Sequence, residues 1–75
     1  MDIKYLDARG LNCPLPLLKT RQALRGLGTG ELLEVIATDA GSARDIPDYL
    51  RQSSHELVRR EQDEREFRFL IRCGE

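Results

Sequence analysis

The sequence predicts an α/β (α+β) fold, a two-layer sandwich of order β-α-β-α-β-β with a mixed four-stranded sheet and both helices on one face. Three observations carry this. Short β-branched and aromatic runs alternate with two helical segments along the 75 residues. Strands joined through a helix lie parallel with a right-handed crossover. The last two strands are separated by a short turn, which pairs them antiparallel.

The elements follow in order. Ile3 to Leu6 is the first strand, and Asp7 to Asn12 a loop punctuated by Gly10. A helix runs from about Pro14 to Arg25, ended by Gly26, Gly28 and Gly30. Leu32 to Thr38 is the second strand, and Asp39 to Ser42 a turn. The second helix ends near Gln52. Its start has two readings: Ser42 with Asp45 resembles a capping box, whereas Pro47 favours a start at Asp45. Glu56 to Arg60 and Glu66 to Cys73 are the last strands, joined by a turn at Asp63 and Glu64. Phe67, Phe69, Ile71 and Cys73 share the strand face that suits packing under the helices, and Arg68, Leu70 and Arg72 share the other. The chain reads as one domain, 1–75, with no repeat or linker.

On a wheel of the first helix, Leu17, Thr20, Leu24 and Leu27 fall on one side with Ala23 flanking, so that side faces the sheet. Leu15 and Leu18 then point outward, with Arg21 and Arg25 beside Leu18. Exposed leucines are common on ordinary surfaces. Here they lie beside a cysteine, which makes this a candidate docking surface.

That cysteine opens the segment Cys13-Pro14-Leu15-Pro16. Prolines are tolerated in a first helical turn, where backbone N–H groups lack intrahelical partners. Cys13 is therefore placed near the N-cap. Unpaired N–H groups and the positive end of the helix dipole favour thiolate there. Pro14 and Pro16 have no N–H, which leaves Leu15 as the main donor for the sulfur. The plain alternative is a small buried cysteine beside a Pro-led helix.

Composition narrows the function classes. Hydrophobic residues are 40% and charged residues 33%, as in a globular protein. The net charge of −1 argues against a strongly basic nucleic-acid binder. Of the 12 cations, all but Lys4 and Lys19 are arginine, which suits bidentate contacts to carboxylate or phosphate. No run is long enough to span a bilayer and no secretory signal is evident, so a cytoplasmic location without membrane contact is expected. Two cysteines do not make a disulfide framework, and two Cys with one distant His are a poor zinc set.

The segment Leu6-Asp7-Ala8-Arg9-Gly10-Leu11-Asn12-Cys13-Pro14-Leu15-Pro16 closely resembles the opening of the TusA-like (SirA-like) sulfur-carrier family. The likeness continues through Arg44-Asp45-Ile46-Pro47 and His55-Glu56-Leu57 to Phe67-Arg68-Phe69-Leu70-Ile71-Arg72, covering essentially the whole chain. It implies the same two-layer sandwich. It also implies a sulfurtransferase in which Cys13 accepts sulfane sulfur as a persulfide from a cysteine desulfurase or rhodanese and relays it to an acceptor protein. Asp7, Arg9 and Gly10 match the loop that shapes the site, and Pro14, Leu15 and Pro16 complete the motif. Arg21 and Arg25 match basic positions where partners approach. Asp45 matches an acidic position in the second helix, with helix capping as its competing and favoured role. Some relatives carry a further cysteine where this chain has Tyr49 or Leu50, so a two-cysteine mechanism through that helix is excluded.

Cys73 is expected far from Cys13. Five strand residues span about 17 Å, whereas a disulfide needs Cα atoms within about 7 Å. Cys73 is then a packing residue or a thiol at a frayed end. The resemblance implies pathways from tRNA 2-thiouridine synthesis to molybdenum-cofactor sulfuration and sulfur oxidation, and the chain's ending favours the first, with tRNA reached only through partner proteins. No metal or organic cofactor is implied, and a monomer is expected. The alternatives are a non-catalytic RNA- or protein-binding regulatory module and, last, a thiol-redox protein.

Overall fold

A computed structural model describes residues 3–74. Its order is β1 (Ile3–Ala8), α1 (Leu15–Arg25), β2 (Leu32–Ala37), α2 (Ala40–Arg51), β3 (Glu56–Gln62) and β4 (Phe67–Arg72). The strands form one sheet ordered β1-β2-β4-β3. β1 pairs parallel with β2, while β4 pairs antiparallel with both β2 and β3. The mixed sheet and the two helices are those the sequence predicts.

Several boundaries moved. β3 runs on to Gln62, two residues past its expected end, and β2 and β4 are trimmed by a residue at their ends, to Leu32–Ala37 and Phe67–Arg72. β1 extends to Ala8, so Asp7 is a strand residue opposite Ile36, where a loop was expected. A full six-residue parallel ladder with β2 outweighs the poor strand propensity of aspartate. α2 begins at Ala40, earlier than either reading of the sequence. Its N-cap is Asp39, whose Oδ2 accepts from the Ser42 backbone N–H at 3.0 Å and from Ser42 Oγ at 3.3 Å. The capping pair is therefore Asp39 with Ser42 rather than Ser42 with Asp45. Pro47 stands inside the helix. A proline there forfeits one backbone bond, and burial of Ile46, Pro47 and Leu50 along the same side holds the helix in place.

The core lies between the helices and one sheet face. Leu33 and Val35 of β2, Phe69 and Ile71 of β4, Leu24 of α1, and Ile46 and Leu50 of α2 form one buried cluster with Cys73. The register sets Leu33 opposite Ile71 and Val35 opposite Phe69, so the two central strands present one continuous apolar row. On α1, Pro16, Thr20 and Leu24 are buried, and Leu17 and Ala23, with Leu27 just past the helix, are half-buried against the cluster. Pro16 takes the innermost place expected of Leu17. Thr20 is tolerated in the core because its hydroxyl donates to the Pro16 carbonyl at 2.8 Å.

Phe69 is fully buried at the centre of this cluster. Replacing it with alanine should cost about 3–5 kcal/mol, a large share of the stability of so small a domain. Urea unfolding checks this, with Tyr5→Ala as control. Tyr5 is 71% exposed, so that change should stay within about 0.5 kcal/mol.

Candidate active site

All four strands bring one end to the same edge of the sheet: the last residues of β1, β2 and β3 and the first of β4. The loop from β1 to α1 crosses this edge. Gly10 turns it with a φ of 79°, a conformation that favours glycine. The Gly10 N–H donates to Thr38 Oγ1 at 2.9 Å, which ties the loop to the end of β2. Arg9 grips Asp7 through two bonds of 2.9 Å and reaches Glu66, just before β4, at 3.4 Å. Asp7, Arg9 and Gly10 thus fasten the loop to the strands around it.

The motif itself holds a correction. The N-cap of α1 is Pro14, with no side-chain cap, and Cys13 stands one residue before it. The Leu15 N–H, expected to face the sulfur, donates instead to the Asn12 carbonyl at 2.9 Å. The exposed Cys13 thiol turns to the other helix. Its Sγ–H donates to Asp45 Oδ2 at 3.0 Å. Gly41, in the first turn of α2, makes room for it, since a Cβ there would stand 3.3 Å from Cys13 Cβ and 3.7 Å from Sγ.

The electrostatics are therefore the reverse of the expected ones. The hydrogen bond to Asp45 is foremost in pushing the thiol above its ordinary ionisation range. Partial desolvation and the negative charges of Asp45 and Asp39 act the same way. The first turn of α1 offers little to oppose them, because its prolines lack N–H groups and the Leu15 donor is spent. Capping, the role favoured for Asp45 in the sequence, belongs to Asp39.

The outward face of α1 is as expected. Leu15 and Leu18 are 46% and 42% exposed, and Arg21 and Arg25 are exposed on the same helix. Arg21 lies over the Tyr49 ring, 5.5 Å from its centroid, which links α1 to α2. Cys73 is 1% exposed, its sulfur 3.7 Å from the Leu24 carbonyl oxygen and 3.8 Å from that of Leu27. Those carbonyls lie at the far end of α1, about 16 Å of helix from Cys13. Cys73 packs in the core and cannot bridge Cys13. Among the described residues no cluster of three His, Cys, Asp or Glu could hold a metal ion, and no helix is long and apolar enough to cross a membrane.

Residues 4–73 match the family model described as sulfurtransferase TusA. The chain belongs to that family. It is 43% identical over 67 residues to the sulfur carrier protein TusA of Allochromatium vinosum, covering 89% of this chain and 88% of that one. Identity to the sulfur carrier protein TusA of Pseudomonas putida is 46% over 67 residues, covering 89% and 84%. A crystal structure of a SirA-like protein from Desulfitobacterium hafniense superposes with a TM-score of 0.74 at 26% identity, covering 99% of this chain and 100% of that one. Membership makes this chain a sulfur carrier, which has a donor on one side and an acceptor on the other.

Arg9 holds the Asp7 carboxyl at about 2, through side-chain and then backbone hydrogen bonds. A depressed value means that the linked stabilisation is present above the ordinary carboxylate pKa of about 4. It fades as the pH falls toward about 2. Both side chains are more than half exposed, so the effect on stability is small. An NMR titration of the Asp7 carboxyl should therefore show the low midpoint in the native protein and a return toward about 4 in Arg9→Ala.

Proposed function

We propose that Cys13 carries sulfane sulfur as a persulfide, taken from a cysteine desulfurase or rhodanese-type donor and handed to an acceptor protein. The observation that supports this best is the contrast between the two thiols. Cys13 is exposed on a loop pinned at the sheet edge, while Cys73 is sealed in the core. Only the first is accessible to a partner's sulfur.

The chemistry needs no oxidant and no resident cofactor. The Cys13 thiolate attacks the terminal sulfur of the donor's persulfide. A new S–S bond forms on Cys13, the donor's S–S bond breaks, and the donor cysteine leaves as a thiolate. The same exchange repeats with the acceptor as attacking thiol. Leu15 and Leu18, with Arg21 and Arg25 along the same helix, supply an apolar and basic surface beside the sulfur for the docking of these proteins. In this reading the destination is tRNA 2-thiouridine synthesis in the cytoplasm. The carrier reaches tRNA only through partner proteins, in keeping with its net charge of −1.

Intact-protein mass spectrometry after incubation with a cysteine desulfurase and cysteine tests the reading. Wild type and Cys73→Ser should each gain one sulfur atom, and Cys13→Ser none. A gain on Cys13→Ser, or none on any variant with either a desulfurase or a rhodanese donor, would overturn it.

A further inference from the structure

The Cys13 thiol is held from one side only, by α2. Its proton points at Asp45 Oδ2, 3.0 Å from the sulfur. Gly41 lets the sulfur lie close to the helix, and Asp39 Oδ2 comes within 3.0 Å of the position a Gly41 Cβ would occupy. Asp39 thus adds a second negative charge in the neighbourhood of the sulfur.

Along the present S–H direction this geometry has no room for a second sulfur. An S–S bond is about 2.05 Å long. A sulfur added along the present S–H direction would end roughly 1 Å from the Asp45 oxygen now 3.0 Å away. The outer sulfur must therefore point away from Asp45, and the bond that seats Cys13 on α2 loses its donor on loading. Charge acts in the same sense. A persulfide is a stronger acid than a thiol, so the loaded group is an anion at neutral pH. It has no proton to donate to Asp45, and both carboxylates repel it.

We infer that Asp45 is a positioning residue that distinguishes the empty carrier from the loaded one, seating Cys13 on α2 as a protonated thiol and expelling the sulfur from that seat once a second sulfur is bound. This rests on the persulfide reading of Cys13. The empty carrier is then a sluggish nucleophile away from its donor, and the loaded carrier turns its terminal sulfur outward. The other charged groups near this edge leave the balance unchanged. The first turn of α1 holds no acidic residue, Arg44 of α2 is exposed, and Asp7 and Arg9 are paired with each other and with Glu66.

The test compares wild type, Asp45→Asn and Asp45→Ala by alkylation with neutral iodoacetamide from neutral to alkaline pH, read at Cys13 by peptide mass spectrometry. Each protein is assayed empty and after loading with inorganic polysulfide. In loading, the Cys13 thiolate bonds to a terminal polysulfide sulfur, and the adjacent S–S bond breaks to release a chain one sulfur shorter. Empty wild type should ionise at higher pH than either variant and react several-fold more slowly at neutral pH. The loaded proteins should react fast and alike, so the ratio of loaded to empty rates is largest in wild type. Thermal unfolding of each variant separates this from misfolding, and the second substitution serves if the first does not fold. Identical empty profiles in wild type and the folded variants would overturn the seat, and a loaded wild type as slow as the empty one would overturn the expulsion. If polysulfide adds no sulfur to Cys13, the persulfide reading fails and expulsion with it, while the empty proteins still decide whether Asp45 holds the thiol.

Discussion

The antiparallel pairing of β2 with β4 is the constraint on which the rest of the molecule depends. It joins residues 30 to 40 positions apart and inserts β4 between β2 and β3. Its register lines up Leu33 with Ile71 and Val35 with Phe69, giving the apolar floor on which both helices rest. With that floor in place, the N-terminal ends of both helices lie over one edge of the sheet. Sequence-distant Cys13 and Asp45 can then meet. The same pairing sends Cys73 to the opposite edge, where its backbone bonds to Gly30 and Glu31.

The environment of Cys13 shows how tertiary contacts overrule a local rule. A helix start favours an anion through backbone N–H groups that lack partners. At α1 Pro14 and Pro16 supply no such group and the Leu15 N–H is satisfied by Asn12. At α2 the cap position is filled by Asp39, itself an anion. The sulfur is left facing two carboxylates and keeps its proton. Sulfur exchange proceeds through thiolate, so in the proposed reading this arrangement slows the resting carrier until Cys13 leaves Asp45.

Much of this was legible in the sequence. The alternation of Phe67, Phe69, Ile71 and Cys73 identified the buried face of β4, and the wheel of α1 separated Thr20 and Leu24 from the exposed Leu15 and Leu18. The site was read less completely. Asp39 has a local signal, an aspartate three residues before Ser42, but the nearby pair Ser42 and Asp45 and the misleading Pro47 obscured it. Gly41 has no local signal, because its lack of a side chain matters only when Cys13 packs against it.

By itself the sequence determined the elements, their order, the apolar faces and the cysteine exposed at a helix start. Each follows from periodicity, turn chemistry and proline geometry within a few residues of chain. Only the tertiary structure decided the strand order, the true cap of α2 and the partner of the thiol. The pairing of β2 with β4 and the bond from Cys13 to Asp45 join groups thirty or more residues apart, the cap is settled by which of two neighbouring local signals the packed helix uses, and electrostatic effects on a proton are governed by distance in space rather than along the chain.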